Sequence, residues 1–471
     1  MASGQRRIPR RERTPRRVPP RTAREAEEYG FPRGFWRALG RFRPPGFGSS
    51  RLWRSPLRGA WLTSVLGIAL LVALPIVTLT GLLSYSAYAP QFGQAMPGDV
   101  GGLRLPLFEW PTRPVWLYRL TQGAHVVLGL VLIPVVLAKL WSVIPKLLAW
   151  PPARSPAKVV ERLSLLLLVG SVLFELVTGV LNIQYDYAFP FSFYTAHYWG
   201  AWVFLGAFVA HVALKLPTAV RALRGRSARR VDLAEPAETA QRSGKPEQSG
   251  KPEHAGESDE LTASNPAAPT LSRRGFLTTV AGGSLLIGAL TAGQTVGGGA
   301  RELALLAPRN RNPGPGPTGF QVNRTAAAAG IDAARTGPDW RLRLEGGAEP
   351  VELGRAQLLG MPQRTAELPI ACVEGWSTTQ RWTGVRLADL AHRAGVPAPS
   401  SAHVRSLETA GAFNEATLQA NQVLDPDALL ALRVNDVDLS PDHGYPARVI
   451  VPALPGVHNT KWVASLDFRR S

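Results

Sequence analysis

Among the 471 residues, the side chains best suited to chemistry by type and position are one thiol and three imidazoles. Cys372 is the only cysteine. A single thiol excludes an internal disulfide, a multi-cysteine zinc site, an iron–sulfur cluster of the usual kind and a Cys-x-x-Cys-His haem attachment. Mononuclear or non-covalent cofactors remain. The default for a lone cysteine is a small buried hydrophobe. Three of the eight histidines, His125, His197 and His211, fall in long apolar stretches, where polar side chains are costly and usually functional. His197 and His211 are 14 residues apart. On a helix that is within about 40° of whole turns and about 21 Å of rise, so the two share a face.

The apolar stretches that must position these residues decide the class of the chain. Four of them, at 61–83, 117–142, 162–183 and 197–217, are long enough to cross a bilayer, which takes about 20 apolar residues. A shorter Gly-rich one occupies 276–296. Lys146, Arg154 and Lys158 follow the second span, and Lys215, Arg221, Arg224, Arg226, Arg229 and Arg230 follow the fourth. The loops at 84–116 and 184–196 have no such surplus. The positive-inside rule therefore puts the N-terminus and the basic loops in the cytoplasm. The fifth span then runs outward, and residues beyond about 300 lie outside the membrane. Before that span stands Ser272-Arg273-Arg274-Gly275-Phe276-Leu277, similar to a twin-arginine export signal. The plainer reading is a positively flanked anchor. The export pathway carries folded domains, often loaded with a cofactor, so the match implies a cofactor in the last domain.

The formal charge of +19 divides as +12 in residues 1–60, +6 in 61–300 and +1 in 301–471. It is a charge of the tail and inner loops, suited to setting topology and touching anionic lipid. No nucleic-acid partner is expected from it, although a non-enzymatic protein binding polyanions or anionic lipids remains the alternative of another class. The expected organisation is a basic disordered cytoplasmic tail (1–58), a four-helix transmembrane bundle (59–222), a disordered linker (223–270), a signal or anchor helix (271–298) and a C-terminal α+β, mostly β, domain (301–471). In the last, 340–344 and 447–451 read as strands, and 386–395 as a short helix ended by Gly395.

Around the thiol, Cys372-Val373-Glu374-Gly375-Trp376-Ser377 resembles the segment by which the sulfite oxidase family binds molybdenum through one cysteine. Trp382-Thr383-Gly384-Val385 with Leu387-Ala388-Asp389-Leu390 continues the likeness. So do His443-Gly444-Tyr445-Pro446-Ala447-Arg448, Val451-Pro452, and Gly456 with Lys461-Trp462-Val463. The resemblance covers about 100 residues in order. It implies a molybdenum–molybdopterin cofactor with Cys372 as metal ligand and catalytic thiolate, a soft and strongly donating one. It also implies pterin contacts at Asn323, His443, Arg448, Asn459, Thr460 and Lys461, His443 standing where the family has Asn. Arg448 has the alternative of an ordinary strand-edge cation. Arg381 could attract an anionic substrate.

The membrane histidines resemble those of cytochrome b-type subunits, such as the four-helix subunit of formate dehydrogenase. Carried over, the resemblance pairs His125 with His197 on an outer haem b, with Gly123, Gly129 and Gly200 giving the porphyrin room. The first span has no His or Met to complete an inner haem. His211 is therefore a possible ligand of a second haem, part of a quinone site, or a bonded core residue. Lys139, 14 residues after His125, reads as a snorkelling lysine. Glu175 either relays protons from a quinol or bonds a neighbouring helix.

Together these resemblances imply a multi-pass oxidoreductase of the bacterial cytoplasmic membrane with an extracytoplasmic catalytic domain. Electrons would pass between quinone, haem b and a molybdenum centre doing oxygen-atom transfer, with reduction of a sulfoxide-like substrate expected. The alternative is oxidation of the sulfite-dehydrogenase type, with electrons running to haem and quinone.

Overall fold

The computed structural model describes residues 54–88, 99–100, 103–104, 108–148, 156–184, 188–232, 267–309, 314–409, 411 and 414–470. The basic tail to residue 53 and the linker residues 233–266 lie outside the described residues.

Five helices, α1 (Ala60–Tyr88), α2 (Leu117–Leu147), α3 (Pro156–Asn182), α4 (Phe193–Asp232) and α5 (Arg273–Val296), are long and apolar enough to cross a membrane. A long apolar helix is present at each expected span. α4 continues to Asp232, ten residues past the expected bundle boundary at 222, because the Arg- and Ala-rich stretch after Pro217 keeps helix-forming side chains. Helices α1 to α4 pack as a cycle in which α1 touches α2 and α4, and α3 touches α2 and α4. α5 lies against α2. Large apolar side chains such as Val72, Leu79, Leu163 and Val209 face outward, as they do when the surrounding medium is lipid.

The C-terminal region is mostly β, as its alternating patterns predict. One sheet contains β1 (Arg341–Glu345), β2 (Val351–Gly354), β5 (Ser401–Ser406), β6 (Glu415–Gln419) and β10 (Val463–Arg469) in the order β2-β1-β10-β5-β6, with β10 parallel to β1 and the rest antiparallel. The other contains β3 (Arg364–Ala371), β4 (Ser377–Arg386), β7 (Leu429–Val434), β8 (Val437–Asp438) and β9 (Arg448–Ile450), in the order β8-β7-β4-β3 with β9 paired to β7. A short helix, α6 (Leu387–Arg393), follows β4 and is stopped at Gly395, whose φ is +78°.

Strand β7 is an almost unbroken apolar run because both of its faces are covered. Leu430 and Leu432 join Leu342, Val385, Val449 and Leu466 in one core, while Leu429, Ala431 and Val434 pack with Phe320, Ile370 and Trp382 in another. Chain from 108 to 116, just before α2, also belongs to this packing. Trp110 Nε1 donates to Ala453 O at 2.8 Å, and Arg113 pairs with Asp425 and Asp427 at 3.1 and 2.6 Å.

Candidate functional site

The cysteine lies at the tip of the β3–β4 hairpin, where the last rung pairs Ala371 with Ser377. Within the loop, Cys372 N–H donates to Trp376 O at 2.9 Å and Gly375 N–H to Cys372 O at 3.0 Å. Gly375 has φ +90°, which a side chain tolerates poorly, and a β-carbon there would lie 2.9 Å from Val126 on α2. The loop is clamped from outside the hairpin by Arg309, whose Nε and Nη2 donate to the two Glu374 oxygens at 2.7 and 2.6 Å. Trp376 Nε1 donates to the same carboxylate at 2.9 Å. Arg309 escaped the sequence reading. Its only signal was the glutamate in the Cys-x-Glu motif, a buried acid in need of a cation.

Cys372 is buried, and that burial, followed by the nearby Glu374 carboxylate, pushes its thiol pKa up. A protonated thiol is a poor nucleophile, whereas a metal on the sulfur removes the proton outright. The cysteine shares a small cleft with Asn323, Trp376, Arg448 and Gly456, so two expected pterin residues do come together with it.

The others stand behind that cleft. Arg448 donates from Nε to Asn459 O at 3.1 Å, and Lys461 Nζ donates to the Arg324 and Asp442 carbonyls at 2.8 and 2.7 Å. Both cations are buried, and neither lies within ion-pair distance of a carboxylate among the described residues. Burial lowers the Arg448 pKa to about 9. For Lys461, burial first and Arg448 second push it well down. Two buried, mutually repelling cations are costly unless an anion joins them. Beside them Asn459 Nδ2 and Thr460 Oγ1 are buried without a hydrogen-bond partner among the described residues. This donor set fits an anionic, oxygen-rich group such as a pterin phosphate.

His443 departs from expectation. Its Nδ1 is 2.7 Å from Ser440 Oγ and its Nε2 is 3.3 Å from Phe320 O, so both ring nitrogens are engaged within the protein. It braces the segment leading to Asn323 rather than facing the cleft. Burial, then Arg448 and Lys461, lower its pKa to about 4. Arg381 likewise does not reach the cysteine and pairs on the surface with Asp436.

Between the helices is an apolar cavity of about 200 Å³ lined by both His125 and His197. Their rings are 6.2 Å apart, centre to centre, at 88°. Two metal–imidazole bonds of about 2 Å plus the ring radii span about 6 Å. His125 Nδ1 is 2.9 Å from Val77 O, and His197 Nδ1 is 2.9 Å from Glu175 Oε2 and 3.3 Å from Thr178 Oγ1. Hydrogen bonding at Nδ1 leaves Nε2 as the nitrogen for a ligand and fixes each ring, as outer-shell partners do around metal-bound imidazoles. Glu175 bonds the neighbouring helix α4 through His197, one of its two expected roles.

The glycines divide differently from expectation. Gly129 lines the cavity with nothing within 4 Å of an added β-carbon. Gly123 instead lets α2 approach Thr295 of α5, and Gly200 makes room for Glu175 and Phe174. Gly81 and Gly179, not singled out in the sequence, also line the cavity. A β-carbon on Gly81 would lie 2.8 Å from the His125 ring, and one on Gly179 3.9 Å from the His197 ring. His211 does not line the cavity, and its charged neighbours are Lys139, Lys215 and Glu161. Lys139 Nζ donates to Thr63 O on α1 at 2.6 Å.

The cavity and the cysteine loop touch. Val373, next to Cys372, is part of the cavity wall, and its carbonyl accepts from Gln122 Nε2 at 2.5 Å, one turn of α2 before His125. Thr295 Oγ1 donates to Gly375 O at 2.6 Å, and Ser377 Oγ to Thr295 O at 2.7 Å.

Residues 329–471 match the family model of the oxidoreductase molybdopterin-binding domain. This part of the chain is thus a molybdopterin-binding oxidoreductase domain. It is of the sulfite oxidase type. Mitochondrial sulfite oxidase of Drosophila melanogaster is 31% identical over 153 residues, covering 27% of this chain and 27% of that protein. An uncharacterized oxidoreductase, YuiH, of Bacillus subtilis (strain 168) is 30% identical over 133 residues, covering 28% of this chain and 66% of that protein. The chain thus spans about a quarter of the first relative's length and just under two thirds of the second's. Among solved structures, the sulfane dehydrogenase SoxCD from Paracoccus pantotrophus is 26% identical, covering 28% of this chain and 39% of that one, with a TM-score of 0.27.

Proposed function

We propose that the chain is a membrane-bound molybdoenzyme in which one polypeptide holds a b-type haem and a molybdopterin centre, exchanging electrons with the quinone pool. In this reading α1 to α4 form a cytochrome b-type bundle in the bacterial cytoplasmic membrane, with the N-terminus and linker inside and residues 301–471 outside. The substrate is a small oxygenated sulfur compound of the sulfoxide class, which is reduced. The observation that carries the reading is the joint wall, where Val373 links the cysteine loop to the cavity between His125 and His197. Electron transfer between the two sites needs them close, and this contact supports that coupling.

Molybdenum bound to pterin supplies oxygen-atom transfer coupled to two electrons. The residues of this chain bind and position. Cys372 is the protein ligand, held at the hairpin tip by the Arg309–Glu374 clamp. Arg448 and Lys461, with the unpartnered Asn459 and Thr460 groups, hold the pterin's phosphate and polar edge, and Asn323 closes the other side of the cleft. His443 positions the Phe320–Asn323 segment. His125 and His197 would hold a haem iron, with Val77 O, Glu175 and Thr178 orienting their rings, and the haem would supply one-electron transfer. One haem fits this arrangement.

Metal analysis and a reduced-minus-oxidised spectrum of the purified full-length protein test the reading. About one molybdenum and one b-type haem per chain are expected, with the haem reduced by a soluble quinol. Colourless, molybdenum-free protein from a host that makes molybdopterin overturns it.

A further inference from the structure

The two histidines that line the apolar cavity differ in what holds them. His125 Nδ1 meets the neutral carbonyl of Val77 at 2.9 Å, whereas His197 Nδ1 meets the Glu175 carboxylate at the same distance. Thr178 Oγ1 also approaches His197 Nδ1, at 3.3 Å, but its own proton is donated to Phe174 O at 2.6 Å. The shorter, charge-assisted bond makes the carboxylate the main acceptor of the His197 N–H.

Three features concentrate the effect of this carboxylate on His197. Its other oxygen, Oε1, is buried and has no hydrogen-bond partner among the described residues. His197 is the only ion-pair partner of Glu175 among the described residues, and neither Lys nor Arg lines the cavity. Gly200, one turn after His197 on α4, has no β-carbon to collide with Oε1, which leaves α4 open to the carboxylate. An anion in apolar surroundings is costly unless a positive charge answers it. Here that charge can come only from the His197 ring and from whatever cation the ring binds. The core of a haem with two neutral imidazoles carries one positive charge when ferric and none when ferrous. A fixed carboxylate beside it favours the ferric form. Hydrogen bonding to the outer N–H also makes the imidazole a stronger donor to the metal, which acts in the same direction.

We propose that Glu175 sets the reduction potential of a haem held by His125 and His197, lowering it and making that haem a stronger reductant. The inference rests on the haem reading. Glu175 is in this view a positioning residue that acts through His197, and its charge carries the effect beyond its hydrogen bond. The tuned step is a one-electron exchange between ferric and ferrous iron, in which no bond is made or broken.

The test is a spectroelectrochemical titration of the full-length, detergent-solubilised protein at one fixed pH. Glu175→Gln keeps the size and a hydrogen-bond acceptor and removes the charge. Its haem equilibrium is expected to shift about 10- to 100-fold toward the reduced form, a potential about 60 to 120 mV more positive. Thr178→Val, which removes the neutral neighbour of the same nitrogen, is expected to shift it less. A potential in Glu175→Gln that is unchanged or more negative, or an equal shift in both variants, overturns the proposal. Where Glu175→Gln fails to retain haem, the ferric near-infrared charge-transfer band of the wild type decides. A band at higher energy than in haems with two neutral imidazoles supports the proposal, and a band at the same energy overturns it. Wild-type protein without a b-type haem removes the haem reading and this inference together, whereas a haem whose potential ignores Glu175→Gln removes the inference alone.

Discussion

At the scale of single residues, the two candidate centres are chemically independent and separable. Cys372→Ser is expected to lose molybdenum by metal analysis yet keep the b-type Soret band, because its loop is held by Arg309, Gly375 and Thr295 rather than by the sulfur. His125→Ala is expected to lose the Soret band and keep molybdenum. His443 offers a pH test. It is 3% exposed with a pKa near 4 against an ordinary 6.5. Between those values the unfolded chain binds the extra proton, so stability is full above pH 6.5. It falls by about 1.4 kcal/mol per pH unit as pH drops toward 4. Thermal unfolding of the wild type between pH 7 and 4.5 should therefore drop more steeply than that of His443→Asn. The cysteine and its motif were legible in the sequence because ligation demands a particular atom. The bracing role of His443 was not, since it depends on Ser440 and on Phe320, which is 123 residues away.

At the scale of elements, the hairpin tip and helix α2 are fitted to each other. Gly375 answers two demands at once, a left-handed backbone and the closeness of Val126. Gly375→Val is expected to lower stability by about 1–3 kcal/mol, read as a reduced unfolding temperature, with loss of the α2 contact. Gln122→Leu strands the Val373 carbonyl and costs about 1–3 kcal/mol in the same assay. Apolar length located each of the five helices, and alternation located β1 and β9 to within a residue or two. Which glycine faces which histidine was out of reach, because helix rotation is set by packing against partners. Gly123 and Gly200 thus serve helix contacts, and Gly81 and Gly179 face the rings.

At the scale of the whole molecule, the C-terminal domain sits against the helices, and the proposed topology requires it to be exported. Substituting both arginines of Ser272-Arg273-Arg274 by lysine is expected to leave residues 301–471 on the cytoplasmic side. Protease digestion of spheroplasts should cut this domain in the wild type and spare it in the variant. Composition and local pattern alone determined the five long apolar helices, the basic stretches that follow the second and fourth of them, the single thiol and its likeness to a molybdenum-binding segment. Those features are encoded in residue type and short spacing, which the solvent reads directly through burial and charge. The sequence resemblance already pairs His125 with His197, whose rings do meet; only the tertiary structure decided that Arg309 grips Glu374, that Glu175 bonds His197, and that Val373 closes the histidine cavity. Each of these joins residues far apart in the chain. Their meeting depends on the packing of whole helices and sheets, and no local sequence interval records it.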